Sequence, residues 1–179
     1  MCIRDSYGVI PDICSLGKII GGGFPLAAIA GSADIMAHFD KSLKSEQWLM
    51  QLGTLSGNPI AAVAGLKTME VLRREGSYEK LTNTGNKLMS ILKEHLDKSG
   101  HPYQLSGDTT LFDVVFTDTP VTDYRTSITA DTEKNNRFNK TLRENGILKS
   151  PTKIYPSLAI DDADLAHTAD AIERAVSSL

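Results

Sequence analysis

The sequence predicts an α/β protein, and two observations lead to this prediction. Short apolar runs typical of strands, Ile13–Leu16 and Leu111–Phe116, alternate with longer amphipathic segments typical of helices. Glycine-rich loops and small-residue packing fill the chain before about residue 76, and a plain α+β pattern follows it. We therefore expect two parts, residues 7–75 and 76–179.

The first part begins with the run Ile13–Leu16, which we expect to be a buried strand. A glycine triplet at 21–23 and a second apolar run, Leu26–Ala30, follow it. Ser32 is expected to cap a helix over 33–39, because serine is a favoured N-cap residue.

A longer helix is predicted to begin at Asn58-Pro59, since Asn as N-cap with Pro at the first helical position is a strong start signal. Its small residues at 61–65 would let it approach another backbone closely. The expected core face of this helix consists of Leu66, Met69 and Leu72.

In the second part, glycines and asparagines separate the predicted elements, and aspartates cap them. In chain order we expect a helix over 78–96 between Gly76 and Gly100, a buried strand over 111–116, a helix over 131–144 ending at Asn145-Gly146, strands within 147–159, and a last helix capped by Asp161 with Leu165, Ala169, Ile172, Val176 and Leu179 buried.

Composition excludes several function classes. The chain has 179 residues and a net charge of −3 from 19 basic and 22 acidic residues, with no basic stripe, so nucleic acid is not an expected partner. No apolar run approaches the ~20 residues that a membrane span needs. The two cysteines do not suggest a disulfide framework, and we expect a cytoplasmic protein.

Residues 1–6, Met-Cys-Ile-Arg-Asp-Ser, are interpreted separately. They resemble a leader produced by translating sequencing adapter, and we expect that they are not native. The alternative is a short, disordered natural N-terminus.

The segment around Lys18 carries the main chemical signal. Lys18 follows the expected buried strand and precedes Gly21-Gly22-Gly23. Partial desolvation there would disfavour the ammonium form, which an amine nucleophile requires. The glycines would leave room for a flat ligand and permit positive φ angles.

Other interpretations of this segment fit less well. A phosphate-binding P-loop would need glycine at Asp12 and a hydroxyl residue at Ile19. A dinucleotide-binding turn starting at Gly21 would need its third glycine at Leu26. The remaining alternative is a lysine that merely faces solvent.

The second signal is Gly53-Thr54-Leu55-Ser56-Gly57-Asn58-Pro59, a glycine-hydroxyl loop that enters a helix. Backbone N–H groups, two hydroxyls and the helix dipole favour a phosphate there. A plain capped loop is the alternative.

Together, Leu-Gly-Lys-Ile-Ile-Gly-Gly-Gly-Phe-Pro at 16–25 and Gly-Thr-Leu-Ser-Gly-Asn-Pro at 53–59 resemble the class-III aminotransferases, and in particular the glutamate-1-semialdehyde aminomutase-like members. The resemblance runs from about Tyr7 to the end. It implies the fold-type-I architecture of enzymes that depend on pyridoxal phosphate (PLP), with 7–75 as the end of the large cofactor domain and 76–179 as the small C-terminal domain.

The resemblance also implies residue roles. Lys18 matches the catalytic lysine that forms a Schiff base with PLP, and Gly53 and Thr54 match cofactor-binding residues, with Thr54 reaching the phosphate from the neighbouring subunit. It therefore implies a homodimer that acts on an amino acid or amine. No metal is expected.

Members of this family are more than twice as long as this chain. The part that would lie upstream carries most of the phosphate site, the aromatic residue stacked on the ring and the Asp paired with the pyridine nitrogen. We therefore expect the chain alone to be inactive and to bind PLP poorly. A non-catalytic fragment that serves as a dimerisation or binding module is the rival interpretation.

Two departures favour an aminotransferase over an aminomutase. The stretch Glu46–Leu52 replaces the glycine-rich lid of the mutase, and Ile160-Asp161 replaces its His-Thr. The aminomutase stays the alternative.

Several further side chains are weak candidates. A loop arginine, Arg125, could clamp a substrate carboxylate, but solvation is the preferred interpretation. Cys14 is expected to be a small core residue. The histidines show no metal-ligand spacing, and surface positions are expected for all of them: His38, His95, His101 and His167.

Overall fold

The computed structural model describes residues 7–43 and 48–179. The expected leader at residues 1–6 lies outside these ranges. The chain divides into two compact units, residues 1–77 and 78–179. Across the described ranges, no helix has both the length and the apolar character needed to cross a membrane.

The first unit contains a two-stranded antiparallel ribbon of β1 (Ile13–Leu16) and β2 (Ala28–Gly31), with Ile13 opposite Gly31 and Leu16 opposite Ala28. A 3-10 turn over Lys18–Gly21 follows β1. The position of the strand is as predicted, but its burial is not. Most side chains of both strands are exposed in this unit, because strand side chains point to the two faces of a sheet and little packs on the faces of this ribbon.

Two helices complete the first unit, α1 (Ala33–Met36) and α2 (Pro59–Leu72), and a 3-10 turn over Ala37–Phe39 extends α1. The N-cap of α2 is confirmed, since the Asn58 side chain accepts hydrogen bonds from the N–H groups of Ile60 and Ala61. Ser32 occupies the N-cap position of α1, but its hydroxyl makes no capping hydrogen bond.

The expected core face of α2 is wrong in one respect. Leu66 is exposed, and the buried residues are Ala61 and Gly65, four positions apart on one side of the helix. The reason is that α2 packs through its smallest residues, which allow the neighbouring backbone to come close.

The second unit has its own apolar core, shared by the helices α3 (Ser77–Ser99), α5 (Thr132–Glu144) and α6 (Asp162–Ser177) and the strand β4 (Leu111–Val115). The capping Asp161 and the helix end at Asn145-Gly146 are as predicted. The largest fully buried side chains are Phe112, Phe116, Phe138, Leu92 and Leu96.

Two local differences from the prediction occur in this unit. An additional strand, β3 (Gln104–Asp108), pairs antiparallel with β4, and a short helix, α4 (Tyr124–Ser127), follows them. The expected strands within 147–159 reduce to isolated bridges, Phe112 with Ile154 and Ser150 with Lys153. The two prolines, at 151 and 156, interrupt this segment, and proline cannot donate a ladder hydrogen bond.

A buried ion pair ties this segment to β4. Lys149 Nζ lies 3.0 Å from Asp113 Oδ1, and both side chains are about nine-tenths buried. The contact has the distance of an ion pair but not the angle of a hydrogen bond. Burial raises the pKa of Asp113 above its ordinary value of 3.8, and Lys149 opposes this shift only in part. The folded state therefore binds this proton more tightly, and the unit loses stability as the pH rises from 3.8 through the raised pKa.

We predict that Asp113→Ala destabilises the second unit by about 3–5 kcal/mol, because Lys149 then stays buried without its charge partner. The double replacement Asp113→Leu with Lys149→Met should cost far less, since no buried charge remains. Hydrogen exchange of the Phe112–Val115 amides in the complete protein measures both losses. Equal losses in the single and double variants would contradict the assignment.

Candidate functional site

Lys18 lies in an unusual backbone conformation. It begins the 3-10 turn after β1 with φ at 56°, and it is the one non-glycine residue with a positive φ in the part of the chain that the structure describes. Such a conformation costs an ordinary side chain of the order of 1–2 kcal/mol and persists only where the surroundings hold it. Gly22, with φ at 57°, ends the turn, and its N–H donates to Ile19 O at 3.1 Å.

The turn is held by α2. A Cβ atom on Gly65 would lie 3.0 Å from the carbonyl oxygen of Ile20 and would overlap the Leu26 side chain. A Cβ on Gly22 would lie 2.5 Å from Thr68 Oγ1. Helix and turn therefore approach each other at two glycines, Gly65 of the helix and Gly22 of the turn.

The Lys18 side chain is exposed in this chain, and no ion pair or hydrogen bond to it is found among the described residues. The expected desolvation by a buried strand is therefore wrong for the chain on its own, because β1 is itself exposed. The Lys18 amine therefore has no partner among the described residues, and a hydrogen-bonded backbone turn carries it.

The predicted glycine-hydroxyl loop forms a tight turn over residues 54–57 before α2. Ser56 N donates to Gly53 O at 2.9 Å, and a Cβ on Gly53 would lie 2.8 Å from Ser56 Oγ, a contact that rotation of the hydroxyl relieves. No partner is found for the hydroxyls of Thr54 and Ser56 within the described ranges.

The amides at the start of α2 are less available than the sequence suggested. Pro59 has no N–H, and the N–H groups of Ile60 and Ala61 both donate to Asn58 Oδ1, at 3.0 and 3.2 Å. Ala62 N donates to Asn58 O at 3.0 Å. The polar groups that this loop can offer a ligand are therefore the two hydroxyls and the loop backbone, not the first helical amides.

The loop borders a cleft of about 880 Å³ in the first unit. Gly53 and Thr54 lie on one side, and β1 and β2 supply apolar side chains such as Leu16 and Ile29 on the other. Lys18 does not line this cleft. The predicted site residues Gly53 and Thr54 thus line the cleft, whereas Lys18, two residues beyond the lining residue Leu16, does not.

The weak candidates stay weak. Arg125 is exposed on α4, and Cys14 is half-buried rather than a core residue. His101 contacts the Lys134 ammonium at 3.3 Å, and His167 is exposed beside Gly146. Within residues 7–43 and 48–179, no group of three His, Cys, Asp or Glu side chains could hold a metal ion.

Sequence reasoning missed the part that Gly65 has in the site. The run of small residues at 61–65 was the available signal, and it indicated close packing, but it did not identify the Lys18 turn as the neighbour.

The chain is similar to known proteins over nearly all its length. The family model described as Aminotransferase class-III matches residues 2–176. Glutamate-1-semialdehyde 2,1-aminomutase 2 of Brevibacillus brevis is 35% identical over 176 residues, which cover 97% of this chain and 40% of that protein. The corresponding aminomutase of Natranaerobius thermophilus is 35% identical over 174 residues, or 96% of this chain and 40% of that protein.

Solved structures show the same relationship. An omega-transaminase from Sphaerobacter thermophilus is 31% identical, with a TM-score of 0.89 over 98% of this chain and 40% of that one. A beta-phenylalanine aminotransferase from Variovorax paradoxus is 27% identical, with a TM-score of 0.83 over 95% and 39%. The chain thus spans about 40% of the length of these relatives. These matches confirm the resemblance and the fold-type-I architecture expected from the two motifs.

Proposed function

Because this chain belongs to the class-III aminotransferase family, we propose that the complete protein is a PLP-dependent aminotransferase with Lys18 as its cofactor-bearing residue. It would transfer an amino group between an amino acid or amine and a keto acid or aldehyde. The observation that supports this most is the uncommitted Lys18 amine on a turn that α2 holds in a strained conformation.

The residues present suit this cofactor. A primary amine can bond to the PLP aldehyde, and Lys18 offers one that is exposed and uncommitted. A phosphate needs hydrogen-bond donors, and the loop at 53–57 offers the hydroxyls of Thr54 and Ser56 together with backbone N–H groups. Lys18, Gly53 and Thr54 are therefore the residues that we propose to hold PLP.

When bound, PLP supplies the electron sink for breaking bonds at the carbon that bears the amino group. Lys18 would then work as an acid and base. After the substrate amine has replaced it, the Lys18 Nζ would take a proton from the amino-bearing carbon of the substrate. It would deliver that proton to the carbon of the cofactor that carries the aldehyde. Such a transfer needs the amine within hydrogen-bond reach of both carbons, which gives a mechanistic reason for a rigid turn beneath Lys18.

We infer a homodimer with shared sites from the family resemblance, and the absence of Lys18 from the lining of the cleft at Thr54 agrees with it. Each Thr54 would serve the Lys18 of the partner subunit. The outer side of α2 supports the same arrangement, because Ile60, Val63 and Leu66 are 63%, 59% and 70% exposed. A row of exposed apolar side chains three positions apart on a helix is suited to burial in an interface.

The two compact units fit a two-domain enzyme. We propose that residues 7–75 complete a large cofactor domain and that 76–179 form the small domain. A cytoplasmic location stays a proposal that rests on the cysteine content.

The aminomutase is the second candidate, because the curated relatives named above carry that name. The stretch before the phosphate loop favours the aminotransferase. Leu49 N donates to His38 O at 2.8 Å, and the Lys41 ammonium lies 5.8 Å from the Trp48 ring centroid. A mutase must retain its deaminated intermediate, which requires a closing lid, whereas residues 48–52 contain no glycine and Leu49 is hydrogen-bonded to His38. Residues 44–47 of this stretch lie outside the described ranges.

We predict that borohydride reduction of the complete protein loaded with PLP places the pyridoxyl group on Lys18, as mapped by peptide mass spectrometry. Lys18→Ala should abolish the label and the amino transfer, because no other amine occupies the turn. Lys67→Ala is the matched control, since Lys67 is an exposed lysine of the same unit whose ammonium pairs with Glu70. A label on another lysine, or full activity in Lys18→Ala, would disprove the assignment.

We also predict that Thr54→Val weakens PLP affinity by about 10–100-fold, because a hydrogen bond to a charged phosphate contributes roughly 1.5–3 kcal/mol. Thr54→Ser keeps the hydroxyl and should retain most of the affinity. Fluorescence or absorbance titration of apo-protein with PLP measures both variants.

Hybrid dimers test whether Thr54 acts across the interface. A dimer of one Lys18→Ala subunit and one Thr54→Val subunit keeps one intact site if Thr54 serves the partner, and none if it serves its own Lys18. We expect half of the native sites to bind PLP with native affinity. A hybrid without any native site would exclude the shared arrangement.

The reaction itself is predicted to be amino transfer. The complete protein should move an amino group from an amino donor to a keto acceptor and convert glutamate semialdehyde poorly. Both reactions can be followed on the same preparation by chromatography of the amino acids formed. Efficient formation of 5-aminolevulinate with negligible transfer to any acceptor would instead establish the aminomutase.

A further inference from the structure

Gly65 lies at an unfavourable place for a glycine. It is an interior residue of the helix Pro59–Leu72, beside Ala61, Ala62 and Ala64. Alanine supports an α-helix better than glycine does, because glycine gives up more backbone freedom on folding. A glycine at this position therefore calls for a compensating contact.

The contact is with the turn that carries Lys18. Gly65 is buried. The direction in which a Cβ atom would point from Gly65 leads to the carbonyl oxygen of Ile20, two residues beyond Lys18. A Cβ atom would come within 3.0 Å of that oxygen, so an alanine would push the turn outward. The oxygen belongs to the backbone, which cannot rotate aside as a side chain can.

The turn would transmit such a displacement because it is short and internally bonded. Gly22 N donates to Ile19 O at 3.1 Å, and Phe24 N donates to Gly21 O at 3.0 Å. Lys18 is already held at a positive φ, so its conformation depends on support from its neighbours. A shift at Ile20 therefore alters the position of Lys18.

We propose that Gly65 is a positioning residue for the Lys18 amine, acting through the Ile20 carbonyl. This rests on the proposed function in that Lys18 is the cofactor-bearing lysine. Gly65 itself touches neither substrate nor cofactor. Because Gly65 has no side chain, α2 and the turn can approach closely. The distance between them determines the position of the Lys18 Nζ.

The test compares variants of the complete, PLP-loaded protein. Gly65→Ala should lower kcat by about 3–10-fold with little change in KM, since the Ile20 carbonyl must give by a few tenths of an ångström and misplacing a reacting group by about 1 Å costs on the order of 100-fold. The variant should also slow, by a similar factor, the attachment of PLP to apo-protein. This attachment is followed by the long-wavelength absorbance of the Schiff base between PLP and lysine. That second readout follows attachment at Lys18 without any substrate.

Matched controls separate positioning from loss of packing. Gly85 is also a buried helical glycine, and a Cβ there would overlap the Thr109 carbonyl oxygen in the second unit. Gly85→Ala should lower thermal stability but leave attachment at Lys18 at the native rate. Lys67→Ala, at an exposed position of α2, should leave the attachment rate native as well.

A double variant tests the proposal even if Gly65→Ala alone fails to fold. In Gly65→Ala with Leu26→Ala, the overlap with the Leu26 side chain is removed and the contact with the Ile20 carbonyl stays. This variant should fold and still attach PLP slowly, whereas Leu26→Ala alone should attach it at close to the native rate.

The proposal is overturned if Gly65→Ala or the double variant attaches PLP and turns over substrate like the native protein. It is also overturned if the effect equals that of Gly85→Ala. A native protein whose pyridoxyl label lies on a lysine other than Lys18 overturns the proposed function itself, and the native protein alone reveals this.

Discussion

The close contact between α2 and the turn at Lys18–Gly21 is the constraint on which the candidate site depends. Gly65 of the helix faces the Ile20 carbonyl of the turn there, with the Leu26 side chain packed beside them. The contact allows Lys18 to keep a positive φ that an isolated peptide would avoid. The same helix begins at the capped loop that contains Gly53 and Thr54, so one element supports both halves of the site.

The two units differ in how complete they are. The second unit buries three phenylalanines and several leucines in a core of its own, and its one buried ion pair is internal. The first unit leaves β1, β2 and the outer side of α2 exposed. The chain spans about 40% of the length of its curated relatives, so we propose that the rest of the complete protein, or a partner subunit, covers these exposed surfaces.

Local signals in the sequence predicted local structure well. The Asn58-Pro59 start, the Asp161 cap and the helix end at Asn145-Gly146 all depend on neighbouring residues, and all three are observed. Burial was harder to predict, because it depends on partners far along the chain or outside it. Leu66 looked like a core residue from its spacing and is exposed, while Gly65 beside it is buried. The motifs point to Lys18 and Thr54, and their roles stay a prediction, because the placement of these residues around a cofactor depends on tertiary structure that no motif contains.

A crystal structure of the complete protein with PLP tests the central claim most directly. We expect continuous density between Lys18 Nζ and the cofactor, the Thr54 hydroxyl of the neighbouring subunit within hydrogen-bond distance of the phosphate, and the Ile20 carbonyl against Gly65. A cofactor bound elsewhere, or a Thr54 that contacts only the phosphate held by its own Lys18, would contradict it.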